Sequence, residues 1–278
     1  MKKKVFSLCP VEPAVRIRAL CSVHKSDYPA GYFYDGESHD FWECVLILGG
    51  RAGVTAGDSA FALTAGQGVL HPPGEFHRVW NMGEDTLQLL IFSFAADHFP
   101  LSGHTAFSFS CAERALAVAA RIRELFVTNE IMILRPRENA SPRELQGAVS
   151  DLELLLLDLL TEAPVPLPAE LWQNASSALY AKAISVMKES MERRLRMSEL
   201  AALCGSSASS LEKLFFRYTG MGAMRYYGQL KMQHACALLR EGKRVQEVAF
   251  ALGYTDQNYF STAYKRHFGI PPSREGRH

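Results

Sequence analysis

No stretch of the 278-residue chain approaches the roughly 20 consecutive apolar residues that a membrane-spanning helix needs. The amino terminus, Met1-Lys-Lys-Lys-Val-Phe-Ser-Leu-Cys9, begins like a secretory signal, but Pro10, Glu12 and Pro13 cut its apolar run short. The six cysteines (Cys9, Cys21, Cys44, Cys111, Cys204, Cys236) include no closely spaced pair and no framework spacing. That excludes a disulfide scaffold and implies a reducing compartment, so a cytoplasmic location is expected. Cys204 and Cys236 sit in apolar helical settings and read as small core residues. Net charge is almost absent too, formally +1, yet it is unevenly placed. Residues 169–278 carry 16 Lys+Arg against 9 Asp+Glu, whereas residues 1–168 carry 14 against 20. A basic half joined to an acidic half is the pattern of a phosphate-binding domain attached to a differently employed one. Hydrophobic content of 48% is ample for globular cores, and the length suggests two domains.

The basic half contains one short unit written twice. Ser198-Glu-Leu-Ala-Ala-Leu-Cys-Gly205, continued to Gly220, matches Gln246-Glu-Val-Ala-Phe-Ala-Leu-Gly253, continued to Gly269. Glu199, Ala201 and Gly205 recur 48 residues on; 49 residues on, Leu211 matches Phe260, Phe215 matches Tyr264, and Arg217 and Gly220 recur as Arg266 and Gly269, so the second turn is one residue longer. Each unit predicts a helix, a turn containing glycine and a second helix, which is the helix-turn-helix pattern. Ala201 and Ala249 allow a close crossing, and Gly205 and Gly253 end the first helices where a left-handed backbone is cheap for glycine. Leu211, Leu214 and Phe215, like Tyr259, Phe260 and Tyr264, fall on one face of each second helix. The opposite faces carry Ser209, Ser210, Glu212 and Lys213, and Gln257, Asn258, Ser261 and Thr262. Met221 to Leu239 between the units predicts one helix of roughly 30 Å, close to the ~34 Å between successive major grooves on one side of B-DNA.

Leu200-Ala201, Leu211-x3-Phe215 with Thr219-Gly220, and Val248-Ala249-x2-Leu252-Gly253-Tyr254 are specific tokens. So are Phe260-Ser261-x2-Tyr264-Lys265-Arg266 and Phe268-Gly269-Ile270-Pro271-Pro272. On them, residues 174–272 resemble the DNA-binding domain of the AraC/XylS family of bacterial transcription regulators. The chain departs at Glu275-Gly276, where that family carries a Tyr-Arg pair, which bears on the last helical turn. The resemblance implies double-stranded DNA as partner, with Arg and Lys contacts to phosphate supplying affinity and register. Base edges would be read by Ser209, Glu212 and Lys213, and by Gln257, Asn258, Ser261 and Thr262, with Ser210, Arg217, Lys265 and Arg266 completing the DNA-binding set. It also implies a homodimer, and contact with RNA polymerase if the protein is an activator.

The acidic half reads as short strands with glycine turns: Phe41 to Leu48, Gly53 to Ala56, Ala60 to Leu63, Gly66 to His71, His77 to Trp80 and Thr86 to Phe94. That is a sandwich or barrel. Gly66, Pro72, Gly74, His77 and Asn81 match the second motif of the cupin barrel in full. Gly31, Glu37, His39, Glu43 and Gly50 match the first, with Glu37 where that family has a histidine. Alternation at 37, 39, 41 and 43 places Glu37, His39, Phe41 and Glu43 on one face of a strand, and with His77 they form the expected effector site. By the cupin resemblance Glu37, His39, Glu43 and His77 are also candidate ligands for a divalent metal such as Zn, Fe or Mn. Trp42 and Trp80 read as packing residues, and Cys44 should point to the other face.

Helices are expected from Ala112 to Phe126, Arg143 to Glu162, and 174–192, separated by a polar break at 128–142 and the proline linker Ala163-Pro-Val-Pro-Leu-Pro168. The second is apolar nearly all round, so Leu145, Val149, Leu152, Leu156 and Leu159 are expected both to cover the barrel and to pack a dimer. The fold class is α+β with two domains: an N-terminal all-β cupin-like barrel with flanking helices and a C-terminal all-α double helix-turn-helix. The expected boundaries are 1–110 for the barrel, 111–163 for a helical dimerisation region, 164–173 for the linker and 174–278 for DNA binding, with helix-turn-helix units at about 198–219 and 246–268. The function expected is a sequence-specific transcription regulator sensing a small molecule, a carbohydrate or related metabolite by family habit. The alternative is a metal-dependent cupin oxygenase or isomerase carrying a DNA-binding appendage. A chromosome-binding protein without an effector leaves the polar barrel interior unexplained.

Overall fold

The computed structural model describes residues 9–34, 36–128, 134–161 and 175–275, so the proline linker at 164–173 lies outside the described residues. Ten strands come first: β1 (Arg16–Tyr28), β2 (Trp42–Gly49), β3 (Arg51–Ala56), β4 (Ser59–Thr64), β5 (Gln67–His71), β6 (His77–Asn81), β7 (Leu87–His98), β8 (Thr105–Ser108) and, after a helix, the small ribbon β9 (Phe126–Thr128) and β10 (Leu134–Pro136). The helices are α1 (Ala112–Leu125), α2 (Pro142–Thr161), α3 (Ala175–Glu189), α4 (Met197–Cys204), α5 (Ala208–Thr219), α6 (Ala223–Arg240), α7 (Val245–Ala251) and α8 (Gln257–Phe268). Both helix-turn-helix units and the connecting helix thus form where the repeat predicts them. β8 and the ribbon were not legible in the sequence, being only three or four residues long.

The strands make two antiparallel sheets, one ordered β1-β7-β2-β5-β8 and one ordered β4-β3-β6. The pair packs face to face and, among the described residues, is not closed by hydrogen bonds into the continuous barrel that the motif resemblance implies. Val45, Ile47, Val54, Phe61, Leu63, Val69, Leu89 and Ile91 fill the space between the sheets. On the outer face of the larger sheet Cys44, Leu46, Leu90, Phe92 and Phe94 pack under α1 and α2. β2 is therefore buried without alternation and apolar except at Glu43, because one face meets the opposite sheet and the other meets helices. Close packing is visible at Gly53, where a Cβ would stand 2.1 Å from the Trp80 indole, so Trp80 is a packing residue as expected.

Leu152, Leu155, Leu156 and Leu159 of α2 are wholly or almost wholly buried against α1 and that outer sheet face. Each such burial contributes roughly 1.5–3 kcal/mol to the protomer's own stability. The face carrying Leu152, Leu156 and Leu159 is thus intramolecular core, and what α2 turns outward instead is Leu154, 53% exposed.

The helical domain holds two further cores, one per helix-turn-helix unit. Leu200, Leu211, Phe215, Tyr218 and Tyr226 make the first; Val248, Ala249, Phe260 and Tyr264 make the second. The positions related by the 49-residue offset, Leu211 with Phe260 and Phe215 with Tyr264, are all fully buried. Gly205 (φ 67) and Gly253 (φ 72) follow the first helices in the left-handed conformation the repeat requires.

Candidate functional site

A cavity of about 370 Å³ opens between the two sheets. Glu43, on β2, reaches it from the larger sheet, and His77, the first residue of β6, from the smaller one. Glu37 arrives by a different route from the expected alternation. Residues 37–41 precede β2 and are not a strand; the Glu37 backbone instead bridges β6, exchanging hydrogen bonds of 2.9 and 3.0 Å with His77. His39 stacks on Phe41 with ring centroids 3.6 Å apart. Glu37, Phe41, Glu43 and His77 therefore line the cavity, and His39 stands beside them without lining it, although local period-two geometry is not what brings them together.

One ligand atom from each of Glu37, His39, Glu43 and His77 lies within 4.8 Å of the others. His77 Nε2 is 3.3 Å from Glu43 Oε1, and His39 Nε2 is 3.6 Å from Glu43 Oε2. The other ring nitrogen is occupied in both cases: His39 Nδ1 donates to the Phe41 carbonyl (3.0 Å) and His77 Nδ1 to the Glu75 carbonyl (3.1 Å). A carbonyl only accepts, so each Nδ1 carries a proton and each ring turns its Nε2 toward carboxylate oxygen. Neither Nε2 makes a hydrogen bond of acceptable geometry. Lone pairs facing a carboxylate in a buried site call for a positive charge between them, either a second proton on the imidazole or a cation.

The ionisations agree with that need. Burial pushes the Glu43 carboxyl up, but the imidazoles of His39 and His77 against it prevail and hold it well below the carboxylate range. Burial lowers His77, and the contact with Glu43 overcomes it and raises it. Ser93, opposite Glu43 on β7, donates to Glu43 Oε2 at 3.1 Å and fixes the carboxylate.

His71 was missed by sequence reasoning. It ends β5 directly opposite Glu43, its ring stacks on His77 at 4.4 Å, and burial lowers its pKa to about 4. Its Nδ1 meets Glu75, which also accepts from His104 at 2.7 Å, and these two histidines outweigh burial to hold Glu75 at about 2. Its position immediately before Pro72 was a signal within reach of the motif. Tyr28, Tyr32 and Tyr34, which also line the cavity, lie in irregular sequence that offers none.

On the DNA-binding half, Ser209, Ser210, Lys213 and Arg217 stand exposed on α5, and Gln257, Asn258, Thr262, Lys265 and Arg266 on α8, with Ser261 half-buried. Glu212 does something else. Its Oε2 accepts the Ala223 backbone N–H at 3.2 Å, so the carboxylate caps the amino end of α6, where unpaired N–H groups and the helix dipole favour negative charge. Two aromatic side chains that the polar-face argument passed over, Phe216 (57% exposed) and Tyr259 (69%), share these surfaces. The 18-residue α6 joins the units and spans roughly 27 Å.

Two family models match the chain in tandem: an AraC-like ligand binding domain over residues 22–140 and a helix-turn-helix domain over residues 200–277. The chain belongs to the AraC family of helix-turn-helix proteins, a ligand-binding β-rich domain joined to a double helix-turn-helix. It is 25% identical over 256 residues to the transcriptional activator RhaR of Enterobacter sp. (strain 638), covering 88% of this chain and 87% of that one. It is 37% identical over 93 residues to the HTH-type transcriptional regulator YidL of Escherichia coli (strain K12), covering 33% of this chain and 31% of YidL. The chain spans similarly little, 36%, of the regulator GbdR of Pseudomonas aeruginosa. A solved AraC-type regulator structure from Chromobacterium violaceum is 31% identical, covers 37% of this chain and 92% of that chain, and superposes with a TM-score of 0.35.

Proposed function

We propose that the protein is a sequence-specific, cytoplasmic DNA-binding transcription regulator, acting as a homodimer, whose N-terminal cavity senses a small molecule. The carrying observation is the doubled helix-turn-helix, with both second helices presenting polar and basic side chains outward across α6. Lys213, Arg217, Lys265 and Arg266 would meet phosphate, while Ser209, Ser210, Gln257, Asn258, Ser261 and Thr262 would read base edges. An activator would also touch RNA polymerase. The test is binding of the full chain to DNA upstream of its own gene. Replacing Gln257 and Asn258 together by alanine is expected to cut specific binding by roughly 30-fold or more, at about 1–3 kcal/mol for each of the two base-reading contacts, while non-specific binding barely changes. Equal loss on specific and random DNA would remove α8 as a reader.

The effector's charge follows from the cavity lining. It contains Glu37 and Glu43, three tyrosines and Phe41, and no lysine or arginine among the described residues. A free carboxylate or phosphate would find no permanent countercharge there, so a neutral hydroxylated or a cationic molecule fits better. A second reading has its own observation. The two imidazoles whose Nδ1–H is spent on a carbonyl and whose Nε2 points at Glu43 have the orientation that backbone partners impose on metal-ligating histidine. Glu37, His39, Glu43 and His77 would hold a divalent Zn, Fe or Mn ion, which would supply a fixed positive charge for an anionic effector group. Elemental analysis of protein purified without chelator is expected to find about one ion per chain, lost in His77→Ala, if the ion is resident. Metal-free wild type removes this reading. Substrate turnover by metal-loaded protein would overturn the non-enzymatic one.

A further inference from the structure

Strand β6 has a different employer on each face. His77 and Val79 point into the cavity, while Arg78, between them, points out of the sheet toward the DNA-binding domain. Phe76, just before the strand, and Trp80 on the Arg78 side belong to the core of the first helix-turn-helix unit, Phe76 meeting Tyr226 edge-on at 5.2 Å. Successive side chains on a strand alternate in just this way, so one five-residue element is at once cavity wall and domain seat.

Arg78 is 4% exposed, and its partners are unusual for a buried cation. Nε donates to the Tyr34 carbonyl at 2.6 Å, while Nη1 donates to the carbonyls of Phe216 (3.2 Å) and Arg217 (3.0 Å). Its register partner on β3, Thr55, donates its hydroxyl to the next carbonyl, Tyr218, at 2.7 Å. Three consecutive carbonyls in the last turn of α5, the first recognition helix, are thus held by two paired sensor-domain side chains. That end of a helix exposes unpaired carbonyls and the negative pole of its dipole, where a cation is most favourable. Arg78 also ties in the mouth of the cavity, since Tyr34 lines it and Phe33 lies under the guanidinium at 5.2 Å. The second recognition helix, α8, has no described hydrogen bond or ion pair of this kind to the sensor half; the Arg240–Asp40 ion pair (3.2 Å) reaches only α6.

We propose that β6 is the element that couples the two sites, and that Arg78, assisted by Thr55, is the positioning residue through which a change at His77 resets the carboxyl end of α5. Because only the first recognition helix is pinned, moving the pin changes its angle relative to α8 and hence the fit of the pair to successive grooves. This rests on the effector reading of the cavity, but its test does not use DNA and so fails separately from it.

The test is amide hydrogen exchange on the full chain, read at residues 216–220, where the Gly220 amide donates to the same Phe216 carbonyl that Arg78 holds. The cavity is perturbed without a ligand by Glu43→Gln, which removes the charge facing His77, and separately by adding zinc chloride alone. In the wild-type background Glu43→Gln is expected to shift exchange in the last turn of α5 by at least about threefold. In an Arg78→Ala background the same change is expected to have no effect there, and in Thr55→Val, which deletes one hydroxyl with little volume change, a reduced one. Unchanged exchange in α1 and α2 certifies folding; should Arg78→Ala fail it, Arg78→Lys and Thr55→Val carry the cycle. A purely structural Arg78 would raise exchange at 216–220 yet leave the response to Glu43→Gln intact, and that result overturns the proposal. So does a wild-type background in which neither Glu43→Gln nor zinc moves these amides.

Discussion

Raising salt from 50 to 200 mM is expected to weaken binding of the full chain to its operator by roughly 10³-fold or more, with a log–log slope of several negative units. The slope follows from phosphate neutralisation, each contact releasing a counterion and adding about −0.9. The protein as a whole is nearly neutral, so an unspecific polycation effect is not available to produce it. The surplus of seven cations in residues 169–278, with Lys213, Arg217, Lys265 and Arg266 exposed on the two second helices, is. Removing Lys265 and Arg266 together should lower the slope by about 2 and weaken specific and random DNA alike, unlike the Gln257 and Asn258 pair. Fluorescence anisotropy at four or five salt concentrations reads both quantities. A flat dependence would sink the DNA-binding proposal, because no other term in such an interface depends on salt so steeply.

The second large effect is on folding. Leu152→Ala is expected to cost about 2–5 kcal/mol, the range for a leucine removed from a packed core. Replacing Leu152 and Leu156 together by glutamate places two carboxylates where α1 and the outer sheet face leave no water and no partner, and the domain should not fold. Leu154→Glu, one position outside that face, should leave the melting temperature nearly unchanged. If the homodimer uses the outward side of α2, the same variant should lower the mass seen by light scattering. Thermal unfolding with light scattering on the three variants separates the cases. A soluble, folded Leu152/Leu156 double variant running as a monomer would return that face to the intermolecular role.

How much of the site was legible depends on how local its cause is. The exposure of Gln257, Asn258, Lys265 and Arg266 was legible because a helical period and a repeat put them opposite Phe260 and Tyr264, and nothing distant intervenes. Glu212 satisfied the same pattern, yet it caps a helix. Its carboxylate is claimed by an N–H eleven residues on, across a turn whose geometry no periodicity encodes. His71 and Ser93 were invisible for a related reason: they face Glu43 through strand registers between β2 and its neighbours β5 and β7, and register is a long-range property.

The sequence alone determined the two-domain division and the doubled helix-turn-helix with its capping glycines. These rest on spacing, turn chemistry and charge, which act between near neighbours or repeat along the chain. Only the tertiary structure decided that the sheets pair without closing, that the leucine face of α2 is spent inside the protomer, and that each imidazole of the site turns Nε2 inward. It alone placed Arg78 on the carbonyls of α5. For the sheets, the leucine face and Arg78 the partner lies far along the chain or on another layer, so burial and desolvation in the assembled fold fix the arrangement; the imidazoles are turned by carbonyls only two residues away, in backbone that no helix or strand period describes.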